Sequence, residues 1–330
     1  MRLWLLITFW LISTVSLVNL AYSETKVLFN LNDPQQFKKE FFNLISHADN
    51  YIKIVTFNFD FEEIEEILIK KSLEGVKIFL VVDDTKSINV KYLQLSGIQV
   101  LDDRVSNERN GLVHSKFVII DGRYVWFGSA NITETSFLRD HNFAFISDDE
   151  SIIEVFEKEF DNNFLACKFH SSKIDFSNEK IGIFFAPIGN ISHKIAEALS
   201  KADEEVLICA YAFTNFVILN QLKILASNGV KVRLILDENW NLYSSFKYSV
   251  LENAIDFFKI KLDPFDGLLH DKFILIDPEK NNGCVIAGSY NFTLSADTSN
   301  DEFCIFLSSS NILREFKKEF ERIWAESQEF

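Results

Sequence analysis

Two short segments set a histidine and a lysine two positions apart in otherwise apolar runs. They are Val113-His114-Ser115-Lys116-Phe117-Val118-Ile119-Ile120-Asp121 and Leu269-His270-Asp271-Lys272-Phe273-Ile274-Leu275-Ile276-Asp277. In extended chain alternate residues share a face, so each His points the same way as its Lys. Each segment is followed by Gly-Ser-x-Asn: Gly128, Ser129 and Asn131, then Gly288, Ser289 and Asn291. The glycine suits a tight turn, and Ser and Asn supply hydrogen-bonding groups. Two such faces opposed would gather two imidazoles, two ammonium groups and two amides around one cavity. The ammonium groups and amides suit the non-bridging oxygens of a phosphodiester. A neutral His can attack phosphorus while a protonated one donates to the leaving oxygen, then acts as base on the incoming water or alcohol. An ordinary pKa of about 6.5 lets the surroundings set either state near neutral pH. Asp121 and Asp277 close the apolar runs and read as structural rather than catalytic.

The elements that must position these residues come in duplicate. HADNYIKIVTFNF (47–59) aligns with KADEEVLICAYAF (201–213), and EGVKIFLVVDD (74–84) with NGVKVRLILDE (228–238), both at an offset of 201 − 47 = 154. The motif segments align at 267 − 111 = 156, and the closing SIIEVFEKEFDNNF (151–164) and NILREFKKEFERIW (311–324) at 311 − 151 = 160. The insertion PEKNNG (278–283) accounts for much of the drift and predicts a longer hairpin. Each half reads as a helix (Gln35–His47; Ser192–Ala202), a strand (Tyr51–Phe57; Val206–Phe213), a helix (Glu62–Leu73; Val217–Ser227) and a strand (Val76–Val82; Val230–Leu236). The motif strand, the strand ending at G-S-x-N, another strand (Asn142–Ile146; Glu302–Leu307) and a closing helix follow. This pattern predicts the α/β class, a duplicated sandwich with mixed sheets flanked by helices. The expected units are 24–170 and 171–330, joined through the polar stretch 167–180.

H-x-K-x4-D followed by G-S-x-N, twice in one chain, resembles the phospholipase D superfamily across nearly all of residues 24–330. The resemblance implies two similar halves meeting at a pseudo-dyad and a phosphohistidine route. It implies catalytic roles for His114, Lys116, Asn131, His270, Lys272 and Asn291, supported by Ser129 and Ser289. Members of this family often carry a carboxylate about eleven residues beyond the motif Asn, bonded to the His. Glu302 fits (302 − 291 = 11), but the same place in the first half is Asn142, with Asp140 two residues earlier as a substitute. The expectation is that Glu302 pairs with His270 and makes it the general acid, leaving His114 as nucleophile.

Residues 1–23 carry Arg2 ahead of an apolar stretch and end in Ala21-Tyr22-Ser23, the pattern of a secretory leader. That predicts export to the periplasm or beyond, or anchoring in the membrane if the leader is uncut. Formal charge is −15 and falls to −16 without the leader (32 Lys and Arg against 48 Asp and Glu). Such a surface repels polyanions at long range, so no general nucleic-acid clamp is expected. Around the motifs the extra basic residues are few: Arg104, Arg109 and Arg123. Cys167, Cys209, Cys284 and Cys304 form no metal-ligand spacing, and no metal or cofactor is predicted. His47, His141, His170 and His193 read as ordinary surface or capping residues. The aromatics between Trp240 and Phe265 read first as a core stripe, second as an apolar wall for acyl chains. The expected substrate is a phosphodiester, phospholipid ahead of nucleic acid, with contact to a membrane surface, no obligate partner and a monomer. A secreted endonuclease and a silent phosphate-binding module are the alternatives.

Overall fold

The computed structural model describes residues 25–86, 90–101, 111–165, 175–178, 180–243 and 254–330. The leader, Arg104, Arg109, Cys167 and His170 lie outside the described residues. In the first half the strands are β1 (Lys26–Phe29), β2 (Tyr51–Thr56), β3 (Phe59–Asp60), β4 (Lys77–Val82), β5 (Gln99–Leu101), β6 (Phe117–Ile120), β7 (Tyr124–Gly128), β8 (Ile132–Thr133) and β9 (Phe143–Ser147). In the second they are β10 (Asp175–Ser177), β11 (Ile181–Ala186), β12 (Glu205–Ala210), β13 (Lys231–Asp237), β14 (Lys259–Asp263), β15 (Lys272–Ile276), β16 (Cys284–Gly288), β17 (Glu302–Leu307) and β18 (Gln328–Glu329).

The first sheet runs β1-β9-β7-β6-β2-β4-β5, and the second repeats that order as β11-β17-β16-β15-β12-β13-β14, with β10 and β18 added at its edges. Both sheets are mixed: β2, β4 and β5 are parallel, as are β12, β13 and β14, while the motif strands β6 and β15 run antiparallel to their neighbours. The fold is therefore the duplicated α/β sandwich that the repeats predict. The insertion 278–283 does lengthen the β15–β16 hairpin relative to β6–β7.

Local sequence explains the helices. Helix Pro34–Ser46 starts with Asp33 accepting from Gln36 N at 2.9 Å and Pro34 in the first turn, and buries Phe37, Phe41 and Ile45 at four-residue spacing. Asn215 caps Phe216–Ser227 in the same way through Val217 N and Ile218 N. Gly75 and Gly229, 154 residues apart, follow their helices with φ of 96° and 91°, where a side chain would be strained.

The two sheets share a central core. Helices Glu150–Glu159 and Ser310–Glu326 contribute Phe156 and Phe316 to one cluster containing Phe117, Phe127, Phe143 and Phe145 from the first half and Phe185, Phe273 and Phe303 from the second. Phe316 alone lies 5.2 Å from Phe143 and 5.0 Å from Phe273, bridging the halves. Each such ring pair contributes about 1 kcal/mol beyond its buried area. Separate clusters pack helices Pro34–Ser46 and Glu62–Leu73 on the outer face of one sheet, and Ile191–Leu199 and Phe216–Ser227 on that of the other.

Backbone contacts between halves fix the motif segments. His114 N donates to Asp301 O at 2.9 Å and Asp301 N to Leu112 O at 2.8 Å. In the mirrored contact, His141 N donates to Leu268 O at 2.8 Å. The segment leading into each motif strand is thus bonded to the segment that opens β9 or β17 of the other half.

Candidate active site

That cross-strapping brings the two histidines together, their ring centroids 6.5 Å apart and their planes at 67°. His114 and His270 each lie in extended chain just ahead of β6 and β15, 6% exposed. Lys116 and Lys272 are buried beside them, and each Nζ donates to the carbonyl of its own motif His. Gly128 and Gly288 precede Ser129 and Ser289 for a reason other than turn formation. A Cβ on Gly128 would stand 2.3 Å from Phe143 O, and on Gly288 2.4 Å from Phe303 O, so the glycines permit close strand approach. Ser129 Oγ accepts from Phe143 N and donates to Asn142 Oδ1, and Ser289 Oγ accepts from Phe303 N. The Oδ1 atoms of Asn131 and Asn291 are buried without a hydrogen-bond partner among the described residues.

The expected pairing of Glu302 is overturned. Its Oε2 lies 2.8 Å from Nδ1 of His114, across the halves, whereas His270 Nδ1 meets the amide oxygen of Asn142 at 2.9 Å. The cause is the backbone bond between His114 and Asp301, which delivers the next residue, Glu302, to the opposite motif. Asp140 does not substitute, because its Oδ1 accepts from Leu268 N. Asn142 is itself locked, with Nδ2 donating to Ser136 O and Oδ1 accepting from Ser129. Asp121 and Asp277 have the structural geometry expected of them. Each accepts from three successive backbone N–H groups, Asp49, Asn50 and Tyr51 or Asp203, Glu204 and Glu205, which holds their pKa down despite partial burial.

Burial dominates the electrostatics. It pushes both histidines well below the ordinary range, reinforced by Lys116 and Lys272. It lowers Lys272 to about 7, opposed by Glu302 and Asp271, and takes Lys116 down too. It raises Glu302 to about 8 against the pull of Lys116. Inside the His114–Glu302 pair the contact holds one proton between Nδ1 and Oε2. A phosphodiester entering this space would restore charge to the lysines.

Several contributors were not singled out in the sequence. Asp83 Oδ2 and Asp237 Oδ2 accept from Val113 N and Leu269 N, pinning the residue before each motif His. Phe57 lies 5.2 Å from His114 and Tyr211 5.4 Å from His270, ring centre to ring centre. All four sit at matched positions of the aligned repeats, a signal that pairing them by the offset of 154 would have exposed.

His141 is not a surface residue. It is 1% exposed between the halves, with Nδ1 accepting from Arg322 Nη2 at 3.1 Å, and burial takes its pKa to about 3. His141, Asp271 and Glu319 bring ligand-type atoms within 4.8 Å of one another. The same guanidinium also donates to Glu319 at 2.6 Å, so this cluster already carries its own cation. His47 caps its helix through Asn43 O, and His193 is exposed, as expected. Cys209 and Cys304 are buried and free. Of the described side chains between Trp240 and Phe265, Phe258 is core, Phe257 and Phe265 are exposed, and Trp240 packs on Tyr211, so a continuous core stripe is not formed. A surface cavity of about 530 Å³ beside Arg233, Asp256 and Phe258 includes no motif residue.

Comparison with known proteins agrees with this geometry. The family described as "Cardiolipin synthase, PLD-like domain" matches residues 41–164 and 195–324. The chain belongs to the phospholipase D superfamily, a superfamily of phosphodiesterase enzymes. It is 33% identical over 149 residues to a phospholipase D of Rickettsia conorii, covering 44% of this chain and 70% of that one. It is 29% identical over 133 residues to the mouse mitochondrial cardiolipin hydrolase, covering 40% and 58%. In structure it resembles the phosphatidylserine synthase of Haemophilus influenzae, with a TM-score of 0.72 at 13% identity over 92% of this chain and 87% of that one. That likeness speaks to the fold.

Proposed function

We propose that this protein cleaves or exchanges the head group of phospholipids through a phosphohistidine intermediate. The observation that carries the reading is the pair of facing motif imidazoles, 6.5 Å apart, with a lysine beside each. A phosphorus between them lies within attack distance of one ring while its leaving oxygen lies beside the other. His114 is the nucleophile, for a reason opposite to the one expected from sequence. With Glu302 as carboxylate, Nδ1–H of His114 donates to it and the lone pair is on Nε2. When Nε2 bonds to phosphorus the ring becomes cationic, and Glu302 stabilises that charge. His270, held by a neutral amide, gives up its proton more readily and serves as acid to the leaving oxygen. It then takes a proton from the water or alcohol that attacks phosphorus and releases His114. Lys116, Lys272, Asn131 and Asn291 bind the non-bridging oxygens.

Lipid is favoured over nucleic acid by the net charge of −15 and by the exposed Phe265 and Leu268, which lead into the second motif. Export by the leader and a monomeric state, with both motifs in one chain, complete the proposal. The test is turnover of phosphatidylcholine, phosphatidylglycerol, cardiolipin, single-stranded DNA and RNA in EDTA, beside a His114→Ala control. Lipid turnover lost in the control supports the reading. Turnover of nucleic acid alone replaces lipid with the nuclease reading, and binding without turnover replaces enzyme with ligand-binding module.

A further inference from the structure

The two sides of the cleft are built alike up to one position. Asp83 and Asp237 pin the two motif segments, and three residues beyond each comes Lys86 in the first half and Trp240 in the second. Lys86 Nζ lies 4.3 Å above the ring of Phe57, which stands beside His114. Trp240 packs 6.1 Å from Tyr211, which stands beside His270. One side therefore has a cation where its counterpart has an indole.

The ammonium of Lys86 has no carboxylate partner among the described residues. The pinning Asp83 is committed to Val113 N, Thr85 N and Thr85 Oγ1. Nor is Lys86 needed for the scissile phosphate, whose two non-bridging oxygens are matched by Lys116 and Lys272. Its charge still reaches the reacting centre, since it is among the groups that depress His114. A half-buried ammonium resting on an aromatic ring beside an anion site, with no carboxylate partner among the described residues, is a binding group with its ligand unassigned.

We propose that Lys86 binds a second phosphate of the same substrate, on the His114 side of the cleft, while Trp240 forms the apolar wall opposite. This rests on the lipid phosphodiesterase reading and narrows it to phosphodiesters carrying a further phosphate. Because, among the described residues, this cation stands on the His114 side and an indole on the other, such a substrate enters in one orientation, and its leaving group faces His270 and Trp240.

The experiment compares KM for substrates with one and two phosphates in two chemistries. The lipid pair is phosphatidylcholine and cardiolipin in neutral mixed micelles; the nucleotide pair is a dithymidine phosphodiester without and with a terminal phosphate. Lys86→Gln is expected to raise the ratio of KM values, two-phosphate over one-phosphate, about tenfold, the effect of one charge-assisted hydrogen bond. Lys86→Arg is expected to restore the ratio, and raising salt to shrink the difference. An unchanged ratio, or equal loss on both members of a pair, overturns the proposal. If the wild-type enzyme turns over the nucleotide pair and neither lipid, the lipid reading fails and Lys86 is judged on the nucleotides. Turnover of none of the four overturns both.

Discussion

Residue by residue, the chemistry turns on which partner each imidazole received. Glu302 was recognisable in the sequence by its spacing from Asn291, and so was its replacement by Asn142, but the histidine it serves was not. Spacing along a chain reports distance within one half, whereas the contact that places Glu302 is a backbone bond to His114 from Asp301 in the other half. Glu302→Gln preserves shape and removes the charge that would stabilise a phosphorylated ring. It is expected to lower kcat on phosphatidylcholine about a hundredfold with little change in KM. The pH profile follows from the shifted groups. Glu302 must be ionised, so activity is gained as pH rises through about 8; Lys272 must be protonated, so activity is lost as pH rises past about 7. His270 must also carry a proton to act as acid, and its depressed pKa adds to the alkaline loss. The profile of kcat/KM is thus a narrow bell whose rising limb belongs to Glu302 and whose falling limb belongs to Lys272 and His270. In Glu302→Gln the acid limb disappears while the alkaline limb stays, and a profile with both limbs intact would remove Glu302 from the reaction.

At the scale of elements, repetition made the fold readable. Apolar runs and matched offsets predicted the five central strands of each sheet and the longer helices, most bounds within a residue or two, while the outer strands β1, β5, β11 and β14 were not singled out. The role of the motif glycines was less visible, because close approach of Phe143 O and Phe303 O depends on a neighbouring strand. Gly128→Ala places a methyl 2.3 Å from a backbone oxygen, and thermal denaturation should show a loss of about 3 kcal/mol or an insoluble product. Asp121→Ala leaves the N–H groups of Asp49, Asn50 and Tyr51 without their acceptor. Water can reach the first two, so the expected cost is about 2 kcal/mol, with KM unaffected. A change in KM without loss of stability would return Asp121 to the reaction.

For the molecule as a whole, the two halves share one core and one site. The Phe-rich composition now has a place: rings from both sheets and both central helices meet around Phe316 and Phe303. His141 was misread because alternation on a strand says which face a side chain takes, and not that a second half covers that face. Arg322→Leu strips the cation from Glu319 and His141 at this junction, which should cost about 3–5 kcal/mol. The shared core predicts that calorimetry shows a single transition that moves down as one. Two separated transitions would mean that the halves unfold independently. The central claim is that both histidines act on one phosphorus, with His114 as the nucleophile. Its most direct measurement is peptide mapping of the His270→Ala enzyme quenched in alkali after mixing with bis(p-nitrophenyl) phosphate, whose leaving group needs no acid. The expected result is a burst of one p-nitrophenol per enzyme and a p-nitrophenyl phosphoryl adduct on His114. A burst that survives His114→Ala, or an adduct on any other residue, would contradict it.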